Sequence, residues 1–183
     1  MKTAVLGALL CAGLAAGSLQ AATLTGVTIT GTYNGSASGL LGVDSGFDTI
    51  VGSNITHLDS STVEYLSSDF LFMIDFSESG SITFFGLPDA TASSYVFDFS
   101  FSGLNGVISS LSSTSLTGIS GTPVLNIIGS NSIRVNLSNV SWTNGVDGYT
   151  AQLTVSPVPE PTNALMLLAG LGLTAAALRR SKR

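Results

Sequence analysis

His57 is the one histidine of the chain, set in Asn54-Ile55-Thr56-His57-Leu58-Asp59. A hydrolytic triad would need its imidazole beside an activated nucleophile and an orienting carboxylate. No nucleophile-elbow sequence occurs in the chain, and a lone imidazole makes a poor metal centre. His57 therefore reads as an exposed or hydrogen-bonded strand residue, and no residue is named as catalytic. Asp44-Ser45-Gly46-Phe47-Asp48 sets two carboxylates about a glycine turn. Calcium takes several oxygen ligands, backbone carbonyls included, so Asp44 and Asp48 are the candidate calcium ligands, although the EF-hand spacing is lacking. Asp75, Glu78, Asp89 and Asp98 are the carboxylates a hydrolase would have to bring together. Trp142, Tyr149, Tyr33 and Tyr65 could stack on sugar rings where exposed, with core packing the default for each. Asn34, Asn54, Asn136 and Asn139 open glycosylation-type tripeptides, a pattern that recurs by chance in a Ser/Thr-rich chain.

The segments that must position these residues read as strands. Phe70, Phe72, Ile74 and Phe76 alternate with Leu71, Met73, Asp75 and Ser77. Ser77-Glu78-Ser79-Gly80 then breaks the pattern before Ser81 to Leu87, so the two runs predict a hairpin with a four-residue connection, its second strand ended by Pro88-Asp89. Tyr95, Phe97, Phe99 and Phe101 alternate with Val96, Asp98, Ser100 and Ser102, the cleanest period-two stretch of the chain. Ile133, Val135 and Leu137 continue the theme, and a parity slip to Val140 and Trp142 predicts a bulge near Asn139. Tyr149, Ala151, Leu153 and Val155 form a last strand, with Asn144-Gly145 or Asp147-Gly148 as the preceding hairpin turn. Leu24 to Tyr33 is the opening strand, and Ser109 to Ser120 reads as a polar edge strand or an ordered loop. Short strands and Gly/Ser/Asn turns, without an amphipathic helix, predict an all-β antiparallel β-sandwich or jelly roll. A parallel β-helix is the runner-up, but no repeat of about 20 residues stands out.

The two ends differ from the middle. Lys2, the apolar run Ala4 to Ala16 and a small-residue exit through Ala21 predict a signal peptide over 1–21, cleaved after Ala21 or Ala22. Cys11 lies inside that apolar run behind Leu9 and Leu10, which does not suit lipidation. Its removal would leave no cysteine for a disulfide, a thiol nucleophile or a thiolate site. Residues 22–155 form the β-rich extracytoplasmic domain. From Ala22 to Pro159 there are ten carboxylates, the eleven of the chain less Glu160, against the single base Arg134, a formal balance of minus nine. Such a surface repels phosphate backbones, so nucleic acid is excluded as a partner.

Residues 156–161 are a proline-rich linker that holds Pro159-Glu160-Pro161 in extended backbone. Residues 162–178 are almost wholly apolar and predict a short transmembrane helix near the lower limit of spanning length. Residues 179–183, with Arg179, Arg180, Lys182 and Arg183, form a basic stop that holds this end in the cytoplasm. Val158-Pro159-Glu160-Pro161, the Leu/Ala/Gly-rich helix with Gly170-Leu171-Gly172, and Arg-Arg-Ser-Lys-Arg together resemble a PEP-CTERM sorting signal. The resemblance covers only the last 26 residues. It implies recognition by an exosortase, a membrane cysteine protease that cuts at or near Pro-Glu-Pro and passes the protein to the cell surface. The same pattern is also called an ice-binding protein C-terminal domain, a label of the sorting segment that carries no implication of ice binding.

These readings converge on an exported protein, anchored transiently in the inner membrane and then placed at the cell surface or outside the cell. Its expected partners are the exosortase and export machinery, the membrane through the C-terminal helix, and extracellular polysaccharide. The leading function is a noncatalytic structural or adhesive component associated with exopolysaccharide, needing no cofactor. The alternatives are a calcium-assisted carbohydrate-binding module and a secreted hydrolase.

Overall fold

The computed structural model describes residues 23–59, 61–87, 90, 93–143, 148–158 and 170–171. The signal segment with Ala21 and Ala22, the Pro159-Glu160-Pro161 triplet, the basic stop, the turns at Pro88-Asp89 and Asn144-Gly145, and all of the expected transmembrane segment except Gly170 and Leu171 lie outside them. Among the described residues, no helix is long and apolar enough to cross a membrane.

The described chain is all-β and antiparallel. Its strands are β1 (Thr28–Tyr33), β2 (Leu40–Gly42), β3 (Ile55–His57), β4 (Tyr65–Ser67), β5 (Phe72–Phe76), β6 (Ser81–Gly86) and β7 (Val96–Ser102). They continue as β8 (Val107–Ser115), β9 (Ile119–Gly121), β10 (Val124–Gly129), β11 (Ser132–Asn136), β12 (Val140–Trp142) and β13 (Gly148–Ser156). One sheet runs β10-β11-β7-β1-β3 and a second β2-β4-β5-β6-β13-β8, while β9 and β12 pair by themselves.

The two large sheets stack face to face in a sandwich-like arrangement because each buries a row of large apolar side chains on the face turned toward the other. β7 buries Phe97, Phe99 and Phe101 while Asp98, Ser100 and Ser102 point away. β5 buries Phe72, Ile74 and Phe76, and β6 buries Ile82 and Phe84. Across the gap Phe72 meets Phe97 at 5.3 Å between ring centroids, and Phe76 meets Phe99 at 5.0 Å, both edge to face. Edge-to-face pairs add about 0.5–1.5 kcal/mol each beyond their burial. Their directionality also fixes how one sheet sits on the other.

The expected hairpin is present, with Phe76 opposite Ile82 and Phe72 opposite Gly86. Its four-residue turn closes through Gly80, whose φ of 87° suits a residue without a side chain. β13 alternates over its whole length and lies between β6 and β8. Within the Ser109 to Ser120 stretch, residues up to Ser115 lie in the polar edge strand β8, while Ile119 and Ser120 begin β9, which pairs with β12.

Four local expectations are corrected. The opening strand begins at Thr28, because Val27 N–H donates to the Leu24 carbonyl in a turn through Gly26 at φ 71°. Phe70 does not join Phe72 in a strand and instead sits in the β4–β5 connection. The parity slip at Asn139 is a chain reversal and not a bulge. Asn136 Oδ1 accepts from Ser138 N–H, and Val140 N–H donates to Leu137 C=O, which turns the chain out of the five-stranded sheet. β12 then pairs with β9, and β13 with β6 and β8, so no hairpin joins the last two strands.

Candidate functional site

The aromatic side chains singled out for sugar stacking are core residues: Tyr33, Tyr65, Trp142 and Tyr149 are all buried. Tyr65 spans the two sheets, its hydroxyl donating to the Ile29 carbonyl at 2.7 Å. Of the hydrolase carboxylates, Asp89 lies outside the described residues, and Asp75, Glu78 and Asp98 do not form one cluster. Asp98 lies on the five-stranded sheet in a two-pronged pair with Arg134, at 2.6 and 2.8 Å. Asp75 belongs to β5 of the other sheet, and Glu78 lies in the hairpin turn.

Asp44 stands in a single 3-10 turn, Val43–Ser45, closed by Gly46 in left-handed backbone. Its Oδ2 accepts from His57 N–H at 2.9 Å and lies 2.7 Å from His57 Nδ1. Desolvation opposes ionisation of Asp44, but the His57 bonds outweigh it and hold the carboxyl below its usual range. Asp48 Oδ1 accepts from the N–H of Thr49. Calcium at Asp44 would thus compete with His57 for the same oxygen. No group of three or more His, Cys, Asp and Glu side chains converges among the described residues.

The most distinctive surface lies on the outer face of the six-stranded sheet. Leu66, Met73 and Phe85 stand side by side on β4, β5 and β6, in direct register. An apolar groove of about 230 Å³ runs there, walled by Phe70, Leu71 and Leu87. Gly148 faces Phe85 on β13, where any side chain would meet the Phe85 ring.

Phe70 is 64 % exposed and holds a φ of 59°. Left-handed backbone is costly for a bulky residue, on the order of 1–3 kcal/mol. The surrounding loop enforces it. Asp69 Oδ1 accepts from Ser67 Oγ and Leu71 N–H, while its Oδ2 accepts from Tyr33 Oη at 2.9 Å. Ser67, itself fully buried, also takes Phe72 N–H on its hydroxyl and Phe70 N–H on its carbonyl. An exposed ring thus stands in strained backbone beside the apolar groove. The apolar alternation around Phe70 disguised this residue in the sequence, and the one local signal was the polar Ser67-Ser68-Asp69 run before it.

Phe70→Gly is expected to raise the stability of the chain by about 0.5–1 kcal/mol, since relief of the left-handed strain outweighs the extra freedom glycine gives the unfolded chain and little burial is lost. Chemical denaturation of the two proteins checks this, and a clear loss of stability would show that the ring serves packing.

A second residue had no signal in the sequence. Glu64, just before β4, is fully buried. Its Oε1 accepts from Asp59 N–H at 3.0 Å and its Oε2 from Phe76 N–H at 2.6 Å. Burial, with Asp75 nearby, outweighs these bonds and pushes its pKa up to about 7.

Comparison with protein-family models, with curated proteins and with solved structures finds no match for this chain.

Proposed function

We propose that the chain is an exported, exosortase-sorted surface protein whose β domain is a noncatalytic structural or adhesive component associated with exopolysaccharide. In this reading a signal helix and a short transmembrane helix flank a β-sandwich or jelly roll. The helices serve delivery, and the domain is what remains at the cell surface.

The adhesive reading rests on Phe70. Glycine or asparagine takes that backbone angle with the least strain. Instead a phenyl ring is held out over a groove with no charged wall. The ring and groove offer a flat apolar contact, suited to the C–H face of a sugar ring or to an apolar surface of a neighbouring matrix component. The sorting reading rests on Val158-Pro159-Glu160-Pro161, the apolar stretch and the closing Arg179, Arg180, Lys182 and Arg183.

Glu160→Ala tests the delivery. In an exosortase-bearing host the variant is expected to keep its C-terminal segment and stay with the membrane fraction, while the parent chain is shortened and released. Both are read by mass spectrometry of the C-terminus and by fractionation. Unchanged shortening and release of the variant would sink the exosortase assignment.

A further inference from the structure

β10 closes one end of the five-stranded sheet, and among the described residues it forms a ladder with β11 alone. At the two ends of the β7–β11 ladder, Phe101 N–H donates to Asn131 C=O and Leu137 N–H to Tyr95 C=O. Successive residues of an antiparallel strand turn their backbone groups to opposite sides. Ile133 and Val135 therefore bond to β7, while Arg134 and Asn136 bond to Asn126 and Val124 of β10. This leaves the N–H and C=O groups of Leu125 and Ile127 facing outward from the sheet.

The other edges are guarded. β2 and β3 have three residues each, and the His57 N–H of β3 is taken by the Asp44 carboxylate. β8 is longer but lined with serine and threonine. β10 carries no charge and no proline from Val124 to Gly129, and its Val124, Ile127 and Ile128 are 46, 43 and 50 % exposed. A strand edge of this kind is a template for pairing with another strand. Ile127 also lies opposite buried Ile133, so its side chain is on the core face of the sheet and stays half open there.

Charge selects the partner. No Asp, Glu, Lys or Arg occurs between Asp98 and Arg134 in the chain, and those two residues neutralise each other. Copies of so acidic a domain repel one another elsewhere and can approach along this uncharged edge.

We propose that β10 is a self-association edge: two copies pair their β10 strands antiparallel about a two-fold axis through Asn126, joining their five-stranded sheets into one. With Asn126 on the axis, Leu125 of each copy faces Ile127 of the other, and all the outward N–H and C=O groups of these residues pair. Val124 then lies opposite Ile128, apolar against apolar. Asn126 lies opposite itself, where its amide is both donor and acceptor. Moving the axis to Leu125 would set Pro123, which has no N–H, against Ile127. Moving it to Ile127 would draw the irregular stretch between Ile127 and Gly129 into the ladder. The contact is isologous and closes on itself at the dimer.

The test is sedimentation velocity of the purified full chain over a concentration series, with amide hydrogen exchange along β10. A reversible dimer is expected. Between concentrations well below and about ten times its dissociation constant, protection of the Leu125 and Ile127 amides should rise about tenfold, while Asn126, already bonded to β11, stays level. Ile127→Lys, a charge of the kind that guards natural edges, should weaken the dimer about tenfold or more. In a Cys11→Ser background, Asn126→Cys should form a disulfide between copies about ten times faster than Val124→Cys, because only position 126 faces its own copy at disulfide distance. A chain that stays monomeric up to about 0.1 mM would overturn the proposal. So would equal crosslinking at 124 and 126, or a dimer that Ile127→Lys leaves intact and that another surface, such as the C-terminal apolar stretch, must then hold. The exchange pattern of the unaltered chain is decisive even if a variant fails to fold.

Discussion

Gly86→Ala is expected to destabilise the protein by about 3 kcal/mol, at the upper end of what over-packing usually costs. Gly86 closes β6 opposite Phe72 and faces the core. Its φ is not in the left-handed region, so the demand for glycine is purely steric. A Cβ there would lie well inside contact distance of Trp142 Nε1, Cε2 and Cδ1. The indole has little room to yield, since it sits edge-on to Phe72 at 5.9 Å and its backbone is paired with Ile119. Urea unfolding followed by far-ultraviolet circular dichroism reads the loss. The pairing with Trp142 can be isolated, because its Nε1 is a buried donor with no partner among the described residues. Trp142→Phe deletes that unsatisfied N–H, which offsets part of the lost ring volume. In the double variant Gly86→Ala/Trp142→Phe the penalty of the alanine should shrink by about 1–2 kcal/mol, as expected for residues in direct contact. Additive losses would show that Gly86 is needed for some other reason.

Phe72→Ala is expected to cost about 3–5 kcal/mol, the usual range for truncating a buried phenylalanine. Phe72 touches the rings of Tyr33, Tyr95, Phe97 and Trp142. Tyr33 and Phe97 come from strands of the five-stranded sheet, so this one side chain ties β5 to the opposite layer. Four rings cannot all close on the vacated space, and the cavity term should therefore be large. The same denaturation experiment checks it. A loss below about 1.5 kcal/mol would mean that the layers can collapse on the gap and that the aromatic stack is looser than its geometry implies. Phe72 also lines the floor of the outer groove. Its removal should cost stability along with contacts there, whereas Phe70→Gly removes a groove ring and leaves the core intact.

The contrast between Phe70 and Phe72 shows how far the sequence can be read. The two residues are alike in type and fall on the same parity of an alternating run, so local pattern assigns both to one buried face. What separates them is Asp69, whose carboxylate is held by Ser67, Leu71 and a tyrosine 36 positions away. A hydrogen bond across that chain distance has no local signature. Glu64 is hidden for the same reason: the N–H groups it accepts from belong to Asp59 and Phe76, and its burial depends on how the sheets meet. Asn136 shows the opposite case. Its short side-chain turn is local, and the parity slip it causes was visible, though not its outcome, because a bulge and a change of sheet displace the alternation alike.

The sequence by itself determined that the middle of this chain is β and that Phe97, Phe99 and Phe101 share one buried face, since period-two burial depends only on neighbouring residues. It also supplies the basis for the export and sorting proposal, because signal segments are read as linear strings of apolar, proline and basic residues. Only the tertiary structure decided which strands are neighbours, that Trp142 fills the space above Gly86, that Phe70 is turned outward and that Glu64 is buried. Each of these depends on contacts between residues far apart in the chain, whose geometry exists only once the two sheets have closed on one another.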